Sequence, residues 1–130
     1  MMIEKRVLVP DRVRRPPSEG FSWLDRRFLR EYAARLTGDA IFLYFFLAAV
    51  SDKQGLSFYS DSTLAVRLRM REEDVVAARD DLLTHDLIAF RPPLTQVLSL
   101  PRARLQRRRL HGLESLLRVV EDSQREGGAA

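Results

Sequence analysis

Residues Tyr59–Leu100 read YSDSTLAVRLRMREEDVVAARDDLLTHDLIAFRPPLTQVLSL. Ser60 or Asp61 is placed to cap a helix, because a short polar oxygen ahead of Leu64, Ala65 and Leu68 can accept from the free first-turn amides. Met70-Arg71 interrupts the pattern, and a second helix over about 72–85 follows. There Val75, Ala78 and Leu82 recur at i, i+3 and i+7, which is one inward stripe. Leu83, Leu87 and Ile88 are expected to complete the core. Leu87–Phe90 and Thr95–Leu100 then form two apolar runs joined by Arg91-Pro92-Pro93-Leu94, the pattern of a tight β-hairpin. Two short helices meeting at a turn and followed by a hairpin set the fold class: mainly α with a small β-hairpin.

Upstream, Ala40–Val50 (AIFLYFFLAAV) is apolar all round, the mark of a central, well-buried helix. Thr37 is its expected N-cap, with Asp39 in the first turn favoured by the helix dipole. Gly55 suits a left-handed C-terminal cap, and Leu56–Tyr59 alternates as a short strand would, adding to the hairpin sheet. A further helix is expected over about 23–36. Ser22 and Asp25 would form its capping box, Leu24, Phe28, Leu29, Tyr32, Ala33 and Leu36 its inward face, and Arg26, Arg27 and Arg30 its solvated side. Trp23 is read as a core or staple residue. Residues 1–20 form an arm: Arg6–Val9 has the makings of a short strand, but Pro10, Pro16, Pro17 and Gly20 forbid a continuous element.

The composition changes again at Pro101. Arg102, Arg104, Arg107, Arg108 and Arg109 lead into Leu110, Leu113, Leu117 and Val120, whose spacings of 3, 4 and 3 make an a/d seam. An isolated helix of that length is marginal in water, so the seam needs a partner. That partner is the domain itself or, as a dimerisation seam, the same helix from a second copy. The expected organisation is therefore a basic arm (1–20), a folded domain (21–100) and an amphipathic C-terminal helix (101–126).

Ala48–Gly55, Ser60-Asp61-Ser62-Thr63-Leu64-Ala65, Val75-Val76-Ala77-Ala78 and Leu87-Ile88 follow one another as in the winged helix-turn-helix family. The form most resembled is that of phage, plasmid and other mobile-element replication proteins, and the resemblance covers roughly residues 37–100. It implies a hairpin wing, a recognition helix at about 72–85 and binding of duplex DNA, with a role in replication, transposition or transcription of a mobile element. The chain departs from the family pattern at three places: Arg71 where a serine or threonine caps the recognition helix, Glu72-Glu73-Asp74 where its first exposed turn is basic or hydroxylic, and Asp86 where a glycine precedes the wing. The outward face of that helix would be Glu73, Asp74, Val76, Ala77, Asp80 and Asp81. Acidic groups in a first turn stabilise a helix by about 0.3–1 kcal/mol each, and beside a duplex they repel phosphates.

The charge distribution leads the same way. The chain of 130 residues carries a net charge of +4 with a pI near 10.1. By segment, residues 1–30 are +4, residues 61–100 are −2 and residues 101–130 are +3. Positive charge is thus concentrated at the two ends, while the expected reading head is net acidic. The expected DNA contacts are phosphate contacts: Arg67, Arg69 and Arg71 at the turn and Arg91 at the wing, with Arg12, Arg14 and Arg15 of the arm and Arg104, Arg107 and Arg108 of the tail as outer clamps. Pairing of Arg69 or Arg71 with Glu72–Asp74 is the competing use of those charges. A different class of function is also open: a protein-interaction module whose acidic helix docks a basic partner.

Enzymatic chemistry finds no support. There is no phosphate-binding glycine loop, no dinucleotide fingerprint and no nucleophile elbow. The paired acids Glu72-Glu73 and Asp80-Asp81 are adjacent on a helix, so they diverge. No cysteine is present, and His85 and His111 alone do not make a metal site. No cofactor is expected. The longest apolar run has eleven residues, against about 20 for a membrane span, so a soluble, cytoplasmic protein is expected, nucleoid-associated if it binds DNA.

Overall fold

The computed structural model describes residues 3–102. Helix α1 (Gly38–Val50) begins where expected: the Thr37 hydroxyl accepts from the Ala40 amide at 3.1 Å. Helix α2 (Asp61–Leu68) is capped in the same way by Ser60, which accepts from the Thr63 amide. A short turn leads to α3 (Glu72–Thr84). Strand β1 (Leu56–Phe58) lies between α1 and α2, and β2 (Ile88–Arg91) and β3 (Leu94–Val97) follow α3. The three strands form an antiparallel sheet in the order β1-β3-β2. Arg91 faces Leu94 and Phe90 faces Thr95 across a two-residue Pro92-Pro93 turn, while Ser57 of β1 faces Thr95 from the other side. The architecture is mainly α with a small three-stranded sheet that includes a hairpin.

The core lies where α1 and α2 pack on α3 and the first residues of the hairpin close beneath them. Leu64, Ala65 and Leu68 of α2 and Val75, Ala78 and Leu82 of α3 are buried, as their spacing predicts. Phe28, Leu43, Val75, Leu82 and Leu87 are completely or almost completely buried, and each contributes about 1.5–3 kcal/mol of transfer free energy. Leu83 does not complete this core. It is 38% exposed, since it lies one residue beyond Leu82 and so on the next face of the helix.

Gly55 has a different task from the one expected. Helix α1 ends at Ser51 with extended backbone, whereas Gly55 (φ +83°) closes a turn at Asp52 and leads into β1. Its carbonyl accepts from Val97 N at 2.8 Å, and a Cβ at this position would stand 2.5 Å from the Val97 carbonyl oxygen.

The N-terminal part departs most from expectation. No continuous helix covers 23–36. One π-helical turn (Phe28–Tyr32) passes directly into a 3₁₀ turn (Ala33–Arg35). Ser22 does not cap it, because its hydroxyl donates to the Ala49 carbonyl of α1 at 3.1 Å, and Asp25 accepts from the nearby Arg27 amide. Only Phe28 and Leu36 become buried, while Trp23, Leu24 and Leu29 stay exposed, so Trp23 is not a core residue. The Phe28 ring stacks on Tyr44 at 4.1 Å, and this stacking anchors the segment. Arg6–Val9 forms no strand; residues 3–20 are exposed throughout, with one 3₁₀ turn at Pro10–Arg12.

Candidate nucleic-acid interface

Helix α2 ends at a turn built on an unusual residue. Arg69 has φ 55° and ψ 46°, a left-handed conformation that glycine adopts without cost and other L-residues adopt at about 1–2 kcal/mol. The turn is closed by the Met70 amide, which donates to the Ala65 carbonyl at 2.9 Å. This geometry places Arg67 and Arg69 on the exposed surface, and Arg91 is exposed at the end of β2, beside the hairpin turn. Among the described residues, none of these three has a carboxylate within ion-pair distance.

Arg71 is otherwise engaged. As N-cap of α3 it has no side-chain oxygen to offer, so Asp74 performs the capping from within the helix. The Asp74 carboxylate accepts from the Arg71 amide at 3.2 Å and from its guanidinium at 3.2 and 3.3 Å. Those hydrogen bonds hold the Asp74 carboxyl below the usual aspartate range. Glu73 adds an ion pair to Arg71 at 2.6 Å. The Arg71 charge is thus compensated by its own helix.

The exposed face of α3 carries Glu72, Glu73, Val76, Ala77 and Asp80. Two acids expected on that face turn aside and are half-buried. Besides Asp74, Asp81 accepts from the Thr37 amide at 3.0 Å and so ties α3 to the start of α1. His85 lies against the same residue, with Nδ1 2.9 Å from the Asp81 carbonyl oxygen.

Arg79 is the residue that sequence reasoning passed over. It is 6% exposed, forms an ion pair with Asp61 in the first turn of α2, and lies over the Phe90 ring of β2 at 4.0 Å. It thereby joins both helices to the hairpin. The signal was its spacing, four residues after Val75 and three before Leu82, which puts it on the buried stripe.

Arg12, Arg14 and Arg15 are exposed on the arm. Arg104, Arg107 and Arg108, together with the seam Leu110, Leu113, Leu117 and Val120, lie outside the described residues. A broad cleft of about 1370 Å³ opens elsewhere, lined among others by Trp23, Arg27, Lys53, Asp86 and Arg102. Among the described residues, no His, Asp or Glu group is arranged to hold a metal ion, and no helix is long and apolar enough to cross a membrane. No family model, curated protein or solved structure matches the chain.

Proposed function

We propose that this chain is a winged-helix protein that holds duplex DNA mainly through its phosphates. The observation that carries the reading is the placement of Arg67, Arg69 and Arg91, exposed and without an acidic partner among the described residues, at the inter-helix turn and the hairpin of a β1-β3-β2 sheet. The strained backbone at Arg69 supports it: a guanidinium stands where glycine would cost less. On this reading α2–turn–α3 is the helix-turn-helix and β2–β3 the wing. The acidic face of α3 keeps that helix from lying deep in a major groove, because Glu72, Glu73 and Asp80 would meet phosphates. Arg12, Arg14 and Arg15 extend the DNA-binding surface from the arm. A role in transcription, replication or transposition of a mobile element goes with the family resemblance alone.

A second reading rests on the same helix. Glu72, Glu73 and Asp80 surround the exposed Val76 and Ala77, which suits a basic partner protein with an apolar centre.

Anisotropy titrations of the full chain against a labelled duplex at two salt concentrations separate the two. DNA binding should weaken with salt at a slope of about 0.9 per neutralised phosphate. Replacing Arg67 and Arg91 by alanine should reduce that slope by about 1 for each arginine that neutralises a phosphate. Absence of duplex binding at low salt overturns the DNA reading and leaves the partner-protein reading.

A further inference from the structure

The sheet has one covered face and one open face. Residues directly opposite each other on neighbouring strands share a face, so the register sorts the side chains. Ser57 and Thr95, opposite each other, are buried, and Phe90, opposite Thr95, lies beneath Arg79. The other face holds Phe58, Leu94 and Arg91 in one row and Leu56, Gln96 and Ala89 in the next. Phe58 is 70% exposed and Leu94 44%; Arg91, Gln96 and Ala89 are exposed, and only Leu56 is half-buried. With strands about 4.8 Å apart, Phe58 and Arg91 stand about 10 Å from each other with Leu94 between them.

Charge and size limit what this face can hold. Residues 56–60 and 87–101 contain one charged group, Arg91. At the Leu56 end of β1 the turn adds Lys53, while the Asp52 carboxylate beside it accepts from the Gln54 and Leu56 amides at 2.8 and 2.9 Å. Among the described residues, neither Arg91 nor Lys53 has a carboxylate within ion-pair distance. The face is therefore apolar in its middle with a cation toward either end, which suits an anion that carries a flat apolar group. One ring and one leucine are too little for a stable protein interface, which takes about 1,000 Å², but they match a single aromatic ring laid on Phe58. An unpaired nucleobase joined to its phosphates has this combination. A base inside a duplex does not, because its faces are covered by its neighbours in the stack.

We propose that the open sheet face binds single-stranded nucleic acid, with a base stacked on Phe58 beside Leu94 and the strand's phosphates at Arg91 and Lys53. This is a binding mode in addition to the duplex reading, and Arg91 is common to both.

Fluorescence anisotropy of the full chain tests it with a labelled oligothymidylate and an abasic strand of equal length, which carry the same phosphates and differ in the bases alone. The base-bearing strand should bind about tenfold more tightly, as one stacked base requires. Phe58→Leu keeps an apolar side chain beside Leu94 but has no ring, and it should remove that preference without changing affinity for the abasic strand. Phe58→Tyr keeps the ring and should retain the preference. Equal affinity of the parent chain for the two strands overturns the proposal, and so does a Phe58→Leu variant that keeps the preference. Oligouridylate run beside oligothymidylate identifies the source of the strand: tighter binding of either one, with the base preference present, supports the proposal and names RNA or DNA. A chain that binds duplex DNA but shows no base preference overturns this proposal alone, whereas one that prefers the base-bearing strand and binds no duplex overturns the duplex reading alone.

Discussion

Arg79 lies over Phe90, its guanidinium carbon 4.0 Å from the ring centroid, while the same group is paired with Asp61. One side chain therefore holds α3 to the first turn of α2 and to the hairpin. The Arg79 side chain is buried and that of Asp61 is 39% exposed, so the pair is only partly withdrawn from water and its Coulomb energy is correspondingly screened. Arg79→Ala removes the packing and the cation–π interaction as well, and should cost about 2–3 kcal/mol. Asp61→Asn, which keeps a hydrogen-bonding oxygen, should cost about 1 kcal/mol. Urea unfolding of the two single variants and the double variant measures the coupling. Additive losses would mean that Arg79 acts through Phe90 alone.

The value of Arg79 was hidden in the sequence by its company. A lone arginine among Glu72, Glu73, Asp74, Asp80 and Asp81 reads as solvated charge, and only the spacing from Val75 and Leu82 argues otherwise. Where a cap and an apolar stripe agree, the sequence was sufficient: Thr37 and Ser60 start α1 and α2, and Val75, Ala78 and Leu82 orient α3. Where the apparent cap had another partner, it misled. Ser22 precedes a plausible helix, yet its hydroxyl is drawn to the end of α1, a hydrogen bond between residues 27 positions apart that local pattern does not reveal. Leu24 and Leu29 then have no core to enter. The candidate interface was legible at Arg67, Arg69 and Arg91, and less so at Arg71, whose neutralisation depends on Asp74 folding back to cap the helix.

Gly55 gives a sharp test of the sheet edge. Its positive φ is strained for any L-residue, and the Val97 carbonyl occupies the space that a Cβ would need. Gly55→Ala should lower stability by about 2 kcal/mol or more, since the backbone strain alone is about 1–2 kcal/mol. Thermal unfolding followed by circular dichroism checks this. A loss below about 0.5 kcal/mol would show that β1 can detach from β3 at little cost.

Alkaline pH should weaken the Phe28–Tyr44 stack. Burial, with Asp25 adding to it, raises the Tyr44 phenol above its ordinary value of 10.0. A group whose folded pKa is raised binds its proton more tightly in the folded state. Its contribution is therefore complete below the unfolded pKa and declines as pH rises from there through the folded pKa. Tyr32, raised chiefly by burial, acts in the same direction. Unfolding free energy should thus be level with respect to these tyrosines up to about pH 9 and fall above about pH 10. Tyr44→Phe, which keeps the stacked ring, should reduce the slope of that fall. An unchanged slope would assign the alkaline loss to other groups.

Arg69 offers a way to separate fold from function. Its left-handed backbone at the α2–α3 turn is the conformation for which glycine is best suited, and its side chain is exposed without an acidic partner among the described residues. Arg69→Gly should relieve the local strain, offset in part by the greater freedom of glycine in the unfolded chain, for a net gain of about 0.5–1 kcal/mol. If the guanidinium binds a phosphate, the same substitution should weaken duplex binding and reduce the salt slope by about 1. Stability and affinity would then move in opposite directions, which loss of folding cannot produce. Thermal unfolding and anisotropy titration on one preparation decide it. A stabilised variant that binds DNA as tightly as the parent, with the same salt slope, would remove Arg69 from the interface and leave the strained turn without a functional reason.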